Sequence, residues 1–201
     1  MNQQVTLVDI RARFPALAID LKYASADNIT GQPIYAEARC LLHPDAAAAL
    51  ERSLRIAQLA GLNLQVLDAY RPQQAQQLLW NACPNQDYVV PIALGSNHSR
   101  GTAIDVTLID ENGQPLDMGT AFDEMDDLSH PYHPAVPQAA QRNRLLLNAI
   151  MFGGGFTDDQ HIFGHGSISR GDSRCQRNGQ QQRAKTGKRG ATHIHGMTPS
   201  V

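Results

Sequence analysis

Cysteine is scarce in this chain, and the scarcity is informative. Only Cys40, Cys83 and Cys175 are present. An odd number at wide spacing provides neither a disulfide framework nor a cysteine-built zinc site. Three reduced thiols in a reducing compartment, the cytoplasm, are the expectation. No apolar run approaches the roughly 18 residues needed to cross a bilayer, so no membrane partner is expected. The N-terminal MNQQVTLVDIRARFP has no basic stretch followed by an apolar one, so no secretory leader is expected either. Net charge is also nearly lacking. At -2 it gives no general reason to expect nucleic acid or an anionic surface as partner.

The small total hides an asymmetry. The stretch from Thr157 onward carries seven Lys/Arg and three acids, against ten Lys/Arg and 16 Asp/Glu before it. A chain of 201 residues fits one domain, or a domain with an appendage. Residues 1–156 are therefore expected to form the domain. Residues 157–201 are expected to form a basic, disordered tail, because GDSRCQRNGQQQRAKTGKRG offers almost no large apolar side chain to bury. Nucleic-acid binding by that tail ranks lowest among the functional readings. Oligomeric state is not legible.

Several segments carry a clear period. LAIDLKYA (17–24) alternates as a half-buried strand does. PDAAAALERSLRIAQLA (44–60) has helical spacing, with Gly61 where a C-terminal cap glycine belongs. NLQVLDAY (63–70) reads as a strand. Pro72 fits the first position of a helix over PQQAQQLLWNA, leaving Arg71 at a strand-to-helix junction. TAIDVTLI (102–109) reads as a strand, followed by a turn at ENGQ. AAQRNRLLLNAIMF (139–152) reads as a helix ended by Gly153, Gly154 and Gly155. Strands and helices mix without a regular repeat. The expected class is α+β, with a small, central, mostly antiparallel sheet flanked by helices.

The stretch richest in chemistry is Ser96-Asn-His98-Ser-Arg-Gly101-Thr-Ala103-Ile-Asp105. Zinc takes neutral imidazole nitrogen and carboxylate oxygen, commonly three protein ligands with one position left for water. An imidazole and a carboxylate on a loop entering a strand can converge on one ion, and Gly101 permits a tight turn between them. From the residues alone the segment reads either this way or as a surface loop with an ordinary histidine. Arg71 likewise reads either as a functional cation or as a structural partner of Asp68.

The pattern Ser-x-His-x-x-Gly-x-Ala-x-Asp resembles the signature of the D-Ala-D-Ala dipeptidases, metallopeptidases with the Hedgehog/DD-peptidase fold. DLKYASADNITG, DAYRPQQAQQLLW, MGTAFDEMDDLSH and QRNRLLLNAIM resemble the same family, in order, over about residues 5–156. The resemblance implies one Zn2+ per chain with His98 and Asp105 as ligands. It implies Arg71 as the cation for the anionic transition state, a role suited to an arginine fixed beside a developing oxyanion. Tyr23 and Asp123 match positions that hold the substrate's amino end. Ser96 fits the pocket lining, or is a turn hydroxyl. His130 and His133 read as loop residues. The implied activity is hydrolysis of the D-Ala-D-Ala dipeptide in cell-wall precursor turnover.

The family's Glu-x-x-His, which supplies a general base and a third ligand, is not legible after Phe156. Counted without gaps through TDDQHIFGHGS, His165 falls at the ligand position and Ile162 where the base belongs. His161 is a second candidate ligand. Asp158 and Asp159 are candidate bases, and His193 and His195 read as solvated. The tail is accordingly expected to be a translated alternative frame or another replaced C-terminus. The alternative functional reading is a catalytically impaired or inactive remnant of the family.

Overall fold

In the computed structural model of the protein, residues 5–86, 88–157 and 162–163 are described. The elements run β1 (Val8–Asp9), α1 (Ile10–Arg13), β2 (Ala18–Ile19), β3 (Leu41–Leu42), α2 (Pro44–Leu59), β4 (Asn63–Asp68), α3 (Gln73–Ala82), β5 (Ile104–Ile109), α4 (Gln138–Gly154) and β6 (Ile162–Phe163). Of the stretch expected as a basic, disordered tail, Thr157 and Ile162–Phe163 are described, and the latter form β6, which corrects the expectation of disorder at those two residues; His165 lies outside the described residues.

The α+β expectation holds. The main sheet has the order β2-β4-β5-β6, and β1 pairs with β3 in a separate antiparallel ribbon. Its centre is the antiparallel pair β4–β5, with Leu64 opposite Leu108 and Val66 opposite Val106. The short flanking strands pair parallel: Ala18 lies beside Gln65, and Ile104 beside Ile162. Antiparallel pairing thus dominates the long central strands, while both edges are parallel.

Burial follows from this placement. Every residue of β5 is buried, as expected of a strand covered on both faces. Leu64, Val66, Val106 and Leu108 join Leu50 and Ala57 of α2 and Leu147, Ile150 and Met151 of α4 in one aliphatic core. A second cluster gathers Tyr23, Leu79 and Val89, with Trp80 and Phe122 against them. It walls the side of the sheet end where the polar residues collect.

Helix boundaries refine the sequence reading. At the start of α2, His43 Nδ1 accepts the Asp45 N–H at 3.3 Å and Pro44 occupies the first turn. Gly61 follows α2 with φ +70, as its cap position requires. Pro72 is not inside α3. It is the N-cap, extended at ψ 149, and the helix begins at Gln73. Gly153 and Gly154 do not end α4; Gly155 does, at φ +98. Gly154 is instead a packing residue. A Cβ there would collide with Ser53 Oγ and come within 3.0 Å of the Ala49 carbonyl on α2.

The strand expected over 17–24 pairs only at Ala18–Ile19. Lys22–Ala24 forms a 3-10 turn, which swings Tyr23 into the second cluster. Cys40 is a buried free thiol.

Candidate active site

The site grows from the end of the β4–β5 pair. The register places Asp68 opposite Asp105, with an irregularity between Val66 and Asp68. Bulges of this kind re-aim side chains at the ends of sheets. Two buried carboxylates in one place repel each other unless cations and donors separate them. Here Arg71 and His98 do so.

His98 opens a short 3-10 turn, His98–Arg100, between the preceding loop and β5. Gly101 closes that turn at φ +71. A Cβ at Gly101 would lie 2.9 Å from Leu7 Cδ2 and 3.1 Å from the His43 nitrogen, so the loop presses directly on the β3–α2 junction. The Ser96 hydroxyl accepts the His98 N–H at 3.2 Å. The Arg71 N–H donates to the His98 carbonyl at 3.1 Å, tying both site segments together.

The imidazole is oriented on one side. Its Nδ1 lies 2.8 Å from the Ala69 carbonyl oxygen. A carbonyl can only accept, so Nδ1 carries the proton and neutral His98 presents the lone pair of Nε2. Nε2 lies 3.5 Å from Asp105 Oδ1. Burial pulls the His98 pKa down, but the Asp105 carboxylate beside it overrides this and raises it.

Among the described residues, Asp68, His98 and Asp105 form the group compact enough to hold a metal ion. Geometry separates their roles. Asp68 Oδ2 lies 3.3 Å from Nδ1, on the ring edge away from Asp105. One imidazole cannot direct both nitrogens at one ion. Asp68 is also occupied: it accepts Arg71 Nε at 2.9 Å and Nη2 at 2.7 Å through Oδ2, and the Tyr35 hydroxyl through Oδ1. Nε2 of His98 and Oδ1 of Asp105 are the pair whose donor chemistry fits zinc, with nitrogen and carboxylate oxygen converging from one side.

Arg71 is buried at 8% exposure and held on several sides. Besides Asp68, its Nη1 donates to Gln76 Oε1 at 3.0 Å, and Nη2 lies 3.5 Å from Asp105 Oδ2. Its Cζ sits 4.7 Å from the centroid of the Tyr23 ring. Burial alone depresses the Arg71 pKa; the surrounding Tyr23, Asp68, Tyr35 and Asp105 reverse this and raise it well above its usual value. The guanidinium therefore stays charged. The structural ion pair with Asp68 is real, and it leaves the cation adjacent to Asp105.

Tyr23 links this cluster to Asp123. Its hydroxyl donates to Asp123 Oδ1 at 2.8 Å, and the Ile29 N–H donates to Oδ2 at 3.1 Å. Asp123 is half-buried and is the non-glycine described residue with positive φ, at 56°. Burial pushes its pKa up to about 6, against the lowering effect of Ile29, Tyr23 and Arg71. The described structure thus joins Tyr23, Arg71, His98, Asp105 and Asp123 in one run of contacts. Ser96 supports the His98 turn. His130 and His133 lie in the loop after a 3-10 turn, Asp127–Ser129, as expected. A separate cavity of about 580 Å3 at the far end of β4–β5, lined by Phe14, Leu54 and Ile109 among others, contains none of these residues.

Two residues escaped the sequence reading as parts of the site. Gln76 is a polar side chain on the buried face of α3, beside Ala75 and Leu79, and that misplaced polarity was the available signal. Tyr35, in the loop after Pro33, carried no comparable mark.

Similarity to known proteins agrees with this geometry. The chain matches the family described as D-ala-D-ala dipeptidase over residues 3–165. It is 66% identical over 156 residues to a D-alanyl-D-alanine dipeptidase of Escherichia coli, covering 78% of this chain and 81% of that one. Proteins of the same name from Enterococcus faecium and Streptomyces coelicolor are each 34% identical over 158 residues, with 68% of this chain and 78% of theirs covered. These matches make the chain a peptidase. It belongs to the D-alanyl-D-alanine dipeptidase family.

Proposed function

We propose that the protein hydrolyses D-Ala-D-Ala to free D-alanine at a single zinc ion held by His98, Asp105 and His165. The observation that carries this is the pairing of His98 Nε2 with Asp105 Oδ1 at 3.5 Å, on a ring whose other nitrogen is fixed by a carbonyl. His165 lies outside the described residues but inside the family match. It follows β6, whose Phe163 backbone pairs with Asp105.

His98 and Asp105, with His165, would hold the zinc, which when bound would supply Lewis-acid polarisation and acidify a water toward a pKa of about 7. The chain's own residues do the rest. Arg71 presents a permanent cation to the oxyanion. Asp123 receives the substrate's ammonium, with Tyr23 holding its carboxylate. Ser96 keeps the His98 turn in place. A carboxylate beside the ammonium favours a substrate with a free amino end close to the scissile bond, as in a dipeptide.

Ile162 occupies the ungapped position of the family's glutamate, and a missing base costs about 10²–10⁴ in rate. The 66% identity to a dipeptidase supports an active enzyme over an inactive remnant. Cell-wall precursor turnover and the cytoplasm are the setting we infer; among the described residues no helix is long and apolar enough to cross a membrane. The division into a domain over 1–156 and a tail is part of the same inference, except that Ile162–Phe163 pair with β5 in the domain's main sheet.

Purified, zinc-loaded protein is assayed for D-alanine release beside Asp105→Ala and Ile162→Glu. Turnover that Asp105→Ala abolishes supports the proposal. No turnover in the unaltered chain, with recovery in Ile162→Glu, establishes the remnant instead.

A further inference from the structure

We propose that Gln76 is a positioning residue for Arg71, fixing the direction of the guanidinium without neutralising it. The inference rests on the reading of Arg71 as the oxyanion's cation. Gln76 is 2% exposed, on the inner face of α3. Its Oε1 accepts Arg71 Nη1 at 3.0 Å, and its Nε2 donates to the Val90 carbonyl at 2.6 Å. The amide is thereby locked in orientation: the nitrogen must face Val90, so the oxygen must face Arg71.

The chemistry explains why an amide suits this place. Arg71 already faces two carboxylates, Asp68 directly and Asp105 with Oδ2 at 3.5 Å from Nη2. Nη2 therefore has a competing partner in the carboxylate we assign to the metal. A rotation of the guanidinium toward Asp105 would spend its charge on a ligand oxygen and divert that ligand. The bond from Nη1 to Gln76 resists this rotation from the other end of the planar fork. A glutamate could make the same bond but would add a third negative charge, lowering the positive potential available to an oxyanion. A neutral acceptor gives direction and leaves the charge intact. Because Nε2 reaches Val90, Gln76 also ties Arg71 to the loop that leads into Ser96 and His98.

The test is a double-mutant cycle on the zinc-loaded full chain: unaltered protein, Gln76→Leu, Arg71→Ala, and the two combined. Gln76→Leu is expected to lower kcat about tenfold, the scale of one hydrogen bond to a charged group, with KM changed less than about twofold. In the Arg71→Ala background the same substitution is expected to change kcat less than about twofold, because its route of action is gone. An equal loss in both backgrounds, or no loss in the first, overturns the proposal. Gln76→Met, which keeps the side-chain length, replaces Gln76→Leu if the latter does not fold, under the same two criteria. Unchanged kcat in Arg71→Ala alone defeats the underlying reading of Arg71. A loss there with additive Gln76 effects defeats only the role given to Gln76.

Discussion

The imidazole of His98 and the carboxylate of Asp105 face each other across 3.5 Å from Nε2 to Oδ1, while the opposite edge of the ring meets the Ala69 carbonyl at 2.8 Å. The ring is thus oriented before any ion arrives. Asp68 lies on the same edge as Ala69. It shapes the site without belonging to the set that faces Asp105.

That distinction predicts two different losses of metal affinity. Asp105→Ala and His98→Ala each remove a donor and should weaken zinc binding more than about 100-fold, beyond the range of a supporting partner. Asp68→Asn removes only support and should weaken it about 10–100-fold. Competition titration with a zinc-sensitive chelator measures all three. If Asp68→Asn abolishes binding as completely as Asp105→Ala, Asp68 is itself a ligand.

The Asp68–Arg71 pair is buried on both sides, with Asp68 at 0% exposure. Removing one member leaves the other charge without its partner in a low-dielectric site. Asp68→Ala should therefore destabilise the fold by about 3–5 kcal/mol. Urea denaturation checks this. Asp68→Ala combined with Arg71→Met should recover part of the loss, because no buried cation is then stranded.

Asp123 gives a pH dependence whose sign can be worked out. Burial raises its pKa to about 6, so it is a neutral acid below that pH and a carboxylate above it. An ammonium needs the carboxylate, so KM for D-Ala-D-Ala should rise as pH falls below about 6, and Asp123→Asn should raise KM while removing this limb. Stability runs the other way. A raised folded pKa means the stabilising form is the protonated one, present at low pH and lost as pH rises through about 6. Asn is permanently neutral and tolerates the φ of 56° at this position. Asp123→Asn should melt higher than the unaltered protein at pH 7.5 despite its poorer binding. A lower melting temperature would show that Asp123 does not bear this cost.

The sequence exposed the site where chemistry and chain order coincide. His98, Gly101 and Asp105 fall within eight residues on one loop and strand, so their convergence required only that the loop turn, which Gly101 does. The two long central strands and the helices α2 and α4 were legible because their apolar residues keep one period. Asp68 was visible only as a possible partner of Arg71. Its place opposite Asp105 depends on the β4–β5 register and the irregularity beside it, and pairing between strands leaves no local trace. Gln76 meets Arg71 through the way α3 packs back on the sheet end. Pro72 and Gly153–Gly154 misled for one reason: the type of residue marks a helix end, but packing decides which residue occupies it.

Gly154 turns that last point into a measurement. It lies inside α4, where glycine costs about 1 kcal/mol against alanine in an exposed helix. On propensity alone Gly154→Ala should stabilise the protein. The contact with α2 reverses the sign. An added Cβ collides with the hydroxyl of Ser53, which is fully buried with no hydrogen-bond partner for its Oγ, and approaches the Ala49 carbonyl to 3.0 Å. Even with the Ser53 hydroxyl turned aside, the added Cβ stays 3.0 Å from both the Ala49 carbonyl oxygen and Ser53 Cβ, so the helices must give way. Forcing extra volume into a packed core typically costs about 1–3 kcal/mol. Gly154→Ala should therefore lower the melting temperature, and Ser53→Gly in the same chain should relieve the steric part by removing the colliding hydroxyl. A stabilised Gly154→Ala would mean that α2 and α4 are not in this close contact.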